Sequence, residues 1–204
     1  MTPWDLFFRE KIKKILTEKK SVIDIGGGLR VLKEKGNRYD PSRAWIIPYL
    51  KNIDYKILDP VPDYNPDIIG DIHNLPFDDN SEEAIICLAV LEHVENPIKA
   101  AKELYRVLKP GGFLFVYVPF LYYYHAQEGY YGDYWRFTKD SLRFIFSDFS
   151  IIEIQNVRGA LSTLIYLSPL GRIAFINKFA DFFDKIFRKT NSKQTSGYFV
   201  FLVK

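Results

Sequence analysis

The chain of 204 residues contains a single cysteine, Cys87. One thiol cannot close an intrachain disulfide, and no partner stands at metal-ligand spacing. Neither a disulfide scaffold nor a metal site is expected. There are three histidines, His73, His93 and His125, so few side chains can exchange a proton near neutral pH. No apolar run approaches the roughly 18 residues that would suggest a membrane-spanning helix. Residues 1–20 are charged and lack a secretory apolar region. A cytoplasmic location is the expectation. There is no basic block: the formal net charge is +3 with both signs interspersed, so no nucleic-acid partner is expected. Internal repeats and low-complexity tracts are also missing.

What is present is an ordinary globular balance with many aromatics, 14 Tyr and 17 Phe, concentrated in the second half. The length suits one domain over 1–204, with an N-terminal helix in 1–20 and a helical insertion over 159–190 before the last strand. The organising stretch is Ser21-Val22-Ile23-Asp24-Ile25-Gly26-Gly27-Gly28. Its apolar residues read as a short buried strand that ends at an acid and a glycine turn. Glycine tolerates positive φ and has no Cβ, so a ligand can lie on the backbone there. Two nucleotide signatures fail on spacing. G-x-G-x-x-G, started at Gly26, meets Val31 at its third glycine, and no Gly-Lys-Ser/Thr follows for a phosphate loop. D-x-G-x-G remains.

Further elements follow from periodicity and capping. Residues 4–18 read as a helix with Leu6, Phe7, Ile12, Ile15 and Leu16 on one face. Residues 33–37 read as a polar turn, and a helix is expected over 42–50 with Ser42 as its cap. Strands are expected at 54–59, 66–72, 83–88, 113–118, 151–157 and 196–203. The first of these ends at Asp59, placed to accept from both hydroxyls of a ribose. Asn96 caps a helix that opens with Pro97 and carries a stripe of Ile98, Ala101, Tyr105 and Leu108. Thr138 caps another, with Leu142, Ile145, Phe146 and Phe149. Residues 172–189 are amphipathic, with Ile173, Ile176, Ala180, Phe183 and Phe187 on one face and Lys178, Asp181, Lys185 and Arg188 off it. That face suits packing on the protein's own body, a pocket cap, a dimer contact or a peripheral membrane contact.

Asp24-Ile25-Gly26-Gly27-Gly28 resembles the first motif of the class I S-adenosylmethionine (SAM) dependent methyltransferases, with Arg30 where those often have a further glycine. Gly70-Asp71-Ile72, followed by Leu75-Pro76-Phe77, is similar to their small-molecule members. So is the run V-L-E-H-V-E-N-P from Val90 to Pro97, continued by E-L-Y-R-V-L-K-P-G-G-F-L from Glu103 to Leu114. The resemblance covers roughly residues 20–150. It implies an α/β, Rossmann-like, doubly wound seven-stranded sheet with helices on both faces. The last strand would insert antiparallel between the fifth and sixth. SAM would be the cofactor, held by Asp24, Gly26, Gly27, Gly28, Asp59, Pro60, Asp71, Ile72 and Leu88. In this reading Asp71 accepts from the adenine amino group and Ile72 flanks the ring.

The acceptor side falls in residues 119–137. D-Y-W-R-F-T, from Asp133 to Thr138, resembles a motif of methyltransferases encoded among sugar and cell-surface polysaccharide genes. Tyr130, Tyr131, Asp133, Trp135 and Arg136 are the candidate acceptor contacts: aromatic faces stack on sugar rings, and a guanidinium holds an anion. Equally, Trp135 and Phe137 can anchor the following helix while Arg136 pairs with Asp133. His125, and His93 of the E-H-V-E motif, are the candidate catalytic residues, with a surface loop and loop stabilisation as their respective alternatives. The expected function is methyl transfer to a small-molecule or glycan-precursor acceptor. A catalytically silent binding module of the same fold is the alternative. Nucleic-acid methylation is disfavoured by Leu88-Ala89-Val90-Leu91, which stands where an N-P-P-Y-like tetrapeptide would.

Overall fold

Along the central strands, neighbouring side chains enter opposite cores, as a pleated strand requires when both its faces are covered. In a computed structural model describing residues 1–35 and 38–204, Val22 packs on one side of the sheet and Ile23 and Ile25 on the other. Ile86 and Cys87, and Phe115 and Val116, divide in the same way. The strands are β1 (Ser21–Ile25), β2 (Asp54–Asp59), β3 (Ile68–Ile69), β4 (Glu82–Leu88), β5 (Leu108–Pro119), β6 (Ile151–Val157) and β7 (Gly197–Val203). They lie in the order β3-β2-β1-β4-β5-β7-β6. All pairings are parallel except those of β7, which runs antiparallel between β5 and β6. The expected doubly wound sheet is therefore present. Gly36 and Asn37, the end of the expected polar turn, lie outside the described residues.

One core layer is closed by α1 (Pro3–Glu18), whose N-terminus carries a Thr2–Asp5 capping box. Its buried face is Phe8, Ile12, Ile15 and Leu16; Leu6, expected on that face, is exposed. Lys11 is buried along its stem and pairs with Glu153 on β6 at 2.8 Å. The helix expected from Ser42 is a 3-10 helix, Pro41–Ile46, capped by Asp40, and then a single turn, α2 (Ile47–Leu50). An α-helix begun at Ser42 would carry Pro48 in its interior, where it has no N–H to give. Restarting at Ile47 puts the proline in a first turn, where none is needed.

The opposite layer is closed by α3 (Pro97–Val107) and α4 (Lys139–Ile145). Asn96 caps α3 by accepting from Lys99 N at 3.0 Å, and Thr138 caps α4. The buried stripe of α3 is Ala100, Ala101, Leu104 and Val107, with Ile98 exposed and Leu108 already in β5. Small alanines let the helix approach the sheet, and that contact decides the buried face. β3 is only two residues long. Pro66 precedes it, and Asp71 turns the chain back into a bridge with Asn74.

Before β7 come α5 (Ala160–Leu167) and α6 (Ala174–Ile186), joined by a turn at Pro169–Arg172. Asp184 of α6 is buried and accepts from Leu161 N at 2.9 Å, Ser162 N at 2.9 Å and Ser162 Oγ at 2.7 Å. It thereby caps α5 from a neighbouring helix. Apart from Ala180 and Asp184, α6 buries little: Phe175, Phe179, Phe182 and Ile186 face outward, as do Ile173 and Phe187 of the expected apolar face. No helix among the described residues is long and apolar enough to cross a membrane.

Candidate active site

The C-terminal ends of β1, β2, β4 and β5 open on a cleft of 1470 Å³. In open α/β sheets this edge is where ligands bind. The glycine turn forms its floor. Gly26 has φ +75°, and a Cβ on it would come within 2.6 Å of Val90. A Cβ on Gly28 would come within 2.6 Å of Leu88 Cβ. The turn thus lies directly on the end of β4, with no room for side chains. Asp24 holds it there. Its carboxylate accepts from Gly28 N at 3.1 Å, Leu29 N at 2.9 Å and Tyr55 Oη at 2.5 Å. Burial pushes this carboxyl up to about 6 against the pull of those donors. Asp24 is fully buried, and neither it nor Gly27 lines the cleft, although both were expected to touch cofactor. The role of Asp24 in this structure is to pin the turn. Arg30, in the left-handed region at φ +56°, does line the cleft.

Asp59, Pro60, Asp71, Ile72 and Leu88 all reach the cleft wall. Asp59 Oδ1 accepts from Val61 N at 2.9 Å; its other oxygen has no donor among the described residues. Burial raises its pKa above the ordinary carboxylate value. Asp71 Oδ1 accepts from His73 N at 2.9 Å and lies 2.8 Å from His73 Nδ1, so His73 is tied down at the rim.

The far wall is the segment between β5 and α4. Tyr130 and Tyr131 line the cleft, and Tyr130 stacks on Tyr64 with ring centroids 5.5 Å apart. Tyr122 and Tyr123 also line it, and both hydrogen-bond Tyr166 of α5. Sequence reasoning missed these two, whose signal was the aromatic run 122–124. Asp133, Trp135 and Arg136, expected to contact acceptor, stand outside the cleft. Arg136 grips Asp133 through two bonds of 2.6 and 2.8 Å and donates to Tyr123 O at 2.6 Å. That guanidinium holds the Asp133 carboxyl down at about 2. Trp135 Nε1 donates to Val94 O at 2.9 Å. Asp133, Trp135 and Arg136 spend their polar groups on fixing the wall.

His93 and His125 meet in the cleft, with ring centroids 4.7 Å apart. Between them lies Glu92, which the sequence reading did not single out. It is fully buried and lines the same cleft. Neither of its oxygens has a hydrogen-bond partner among the described residues. Its Oε1 is 3.5 Å from His125 Nε2 and 3.9 Å from His93 Nε2, too far for good hydrogen bonds. The Glu92 carboxylate, together with Asp133, raises the pKa of His125. The three side chains offer ligand atoms that all lie within 4.8 Å of one another, a donor set able to hold a metal ion. No metal site was expected, because the set joins residues 33 positions apart, through a turn after β4 and a loop after β5. Only the adjacency of Glu92 to His93 was visible beforehand.

Residues 54–116 match a family model described as a methyltransferase domain. A 104-residue stretch is 33% identical to the ubiquinone/menaquinone biosynthesis C-methyltransferase UbiE of Vibrio cholerae, covering 47% of this chain and 39% of that protein. A 113-residue stretch is 34% identical to an uncharacterized protein, MJ0638, of Methanocaldococcus jannaschii, covering 50% and 42%. The matched region thus spans about two fifths of each relative. A SAM-dependent methyltransferase of Archaeoglobus fulgidus superposes with a TM-score of 0.59 at 13% identity, over 97% of this chain and 93% of the other. Phosphoethanolamine N-methyltransferase 2 of Haemonchus contortus superposes with a TM-score of 0.52 at 15% identity, over 96% and 52%. The seven-stranded order with its antiparallel β7 is that of a Rossmann-like methyltransferase fold, which the superposed structures share.

Proposed function

We propose that the protein transfers a methyl group from SAM to a small-molecule or glycan-precursor acceptor. The observation that carries this reading is the half-satisfied carboxylate of Asp59, nearly buried and facing the cleft beside the glycine turn. An acceptor-only oxygen in that position suits the vicinal hydroxyls of a ribose. Ile72 and Leu88 supply apolar walls for a base, and Asp71 a carboxylate at the rim. Arg30 forms no ion pair among the described residues, and its chemistry suits the cofactor's carboxylate. When bound, SAM supplies a methyl group on a cationic sulfur, open to in-line displacement.

The rest of the cleft serves the acceptor. Tyr64, Tyr122, Tyr130 and Tyr131 offer flat faces to a sugar or other ring. An acceptor hydroxyl takes the methyl and releases its proton to the Glu92–His93–His125 group. An amine or thiol acceptor asks less of that group. The silent-module alternative would require Arg30 to block the pocket. A cleft of 1470 Å³ with Arg30 on its wall favours an open site, since small-molecule pockets are commonly about 300–1,000 Å³. The test is calorimetric titration of SAM into the wild type and into Asp59→Ala. The variant is expected to bind more than tenfold more weakly; equal affinities would remove Asp59 from the cofactor site.

A further inference from the structure

Among the described residues, the Glu92 side chain is the sharpest unresolved feature of the cleft: a fully buried carboxylate with both oxygens unbonded. Burying such a charge without partners is costly. The cation whose charge also reaches it, Arg136, is held bidentately by Asp133. Two imidazoles face it, and their outer nitrogens settle which atoms they present. His93 Nδ1 lies 2.6 Å from Gly132 O. A carbonyl oxygen only accepts, so Nδ1 carries the proton. His125 Nδ1 lies 3.0 Å from Tyr123 O and 3.2 Å from Asp133 Oδ2, again two acceptors. With each Nδ1 committed to those acceptors, it is Nε2 of each ring that faces the Glu92 carboxylate. Three potential ligand atoms converge there, all within 4.8 Å of one another.

A cation resolves that convergence. We propose that Glu92, His93 and His125 form a binding site for one divalent first-row transition-metal ion on the acceptor side of the cleft. Two imidazoles and one carboxylate favour zinc, cobalt or iron over magnesium or calcium. Metal–ligand bonds of about 2.0–2.2 Å bring ligand atoms to roughly 3–3.5 Å from one another. Glu92 Oε1 and His125 Nε2 are already 3.5 Å apart and Glu92 Oε1 and His93 Nε2 3.9 Å, and since all three ligand atoms lie within 4.8 Å of one another, small side-chain movements bring the two imidazoles onto one ion. The outer contacts of the histidines, to a backbone carbonyl and a carboxylate, are those that fix the tautomer and basicity of metal-bound imidazoles. The remaining coordination positions open into the cleft, beside Tyr131 and Tyr122. The site itself stands on this geometry; its use rests on the methyl-transfer reading. There, an acceptor hydroxyl would bind the ion, which would lower its pKa so that its proton leaves to water in the open cleft rather than to these three side chains, and the oxygen would be readied as the nucleophile.

The experiment titrates Co²⁺ into protein stripped by a chelator, following the visible absorption of protein-bound cobalt. Wild type is expected to saturate at one equivalent. His125→Ala and Glu92→Gln should each bind more than tenfold more weakly, with circular dichroism confirming that they fold. His125 is partly exposed and on a loop, so its variant keeps the test valid if the buried Glu92→Gln does not fold. No absorption change in wild type, or equal Co²⁺ affinity in a folded His125→Ala, would overturn the site. SAM is titrated separately into the same preparations. Cobalt binding without SAM binding leaves the metal site standing and removes the methyl-transfer reading; the reverse result removes the metal site alone.

Discussion

At the scale of the residue, Asp24 opposes burial with three donors. Its folded pKa, about 6, lies above its ordinary value of 3.8. The folded state therefore holds this proton more tightly than the unfolded chain does. That preference favours the fold fully below the ordinary value, and is lost as pH rises through about 6. At neutral pH the carboxylate depends on Gly28 N, Leu29 N and Tyr55 Oη. A hydrogen bond to a charged group contributes about 1.5–3 kcal/mol. Tyr55→Phe is expected to lower stability by about that amount at pH 8 and by clearly less at pH 5, as read by urea denaturation. An equal loss at both values would mean that Tyr55 does not support the ionised form. Asp59 was legible in the sequence because a strand-end acid is a local pattern. Glu92 was not, because its significance comes from His125, which the fold brings to it from the far side of the sheet edge.

At the scale of the element, the segment between β5 and α4 is a wall built on one ion pair. The Asp133 side chain is fully buried and Arg136 is its bidentate partner. Arg136→Ala removes the guanidinium and leaves that carboxylate only the contacts of His125, whose backbone N–H donates to it at 2.8 Å, and is expected to cost about 1.5–3 kcal/mol of stability. SAM affinity should stay unchanged. A stable variant defective only in turnover would restore Arg136 as an acceptor contact. The outward face of α6 gives the opposite expectation. Phe175 and Phe182 bury little, so Phe175→Ser and Phe182→Ser should each change stability by no more than about 0.5 kcal/mol. A loss several times larger in thermal melting would put those rings in the core. The caps of α1, α3 and α4 follow from chemistry within a few residues, and Asn96 and Thr138 were readable for that reason. The buried face of α3 was misread by about one residue, and the outward face of α6 was not foreseen. Which side a helix buries is set by what it meets, and periodicity alone does not contain that.

At the scale of the whole molecule, the strand order brings the ends of β1, β2 and β4 together, so that Gly26, Asp59 and Leu88 border one cleft. The number and sequence of strands were legible from alternating apolar runs, and the insertion of β7 from the family resemblance. The 3-10 start of the first crossover was hidden behind Pro48, whose effect depends on where a helix begins. What the assembled edge offers is a glycine floor, an acid on β2, apolar walls and an aromatic far side. We propose that SAM binds there. Isothermal titration of the purified wild-type protein with SAM, and with its demethylated product, tests this most directly. One site of micromolar affinity for each is the expected result. No heat with either ligand, from protein shown to be folded, would contradict the claim and leave a methyltransferase fold put to another use.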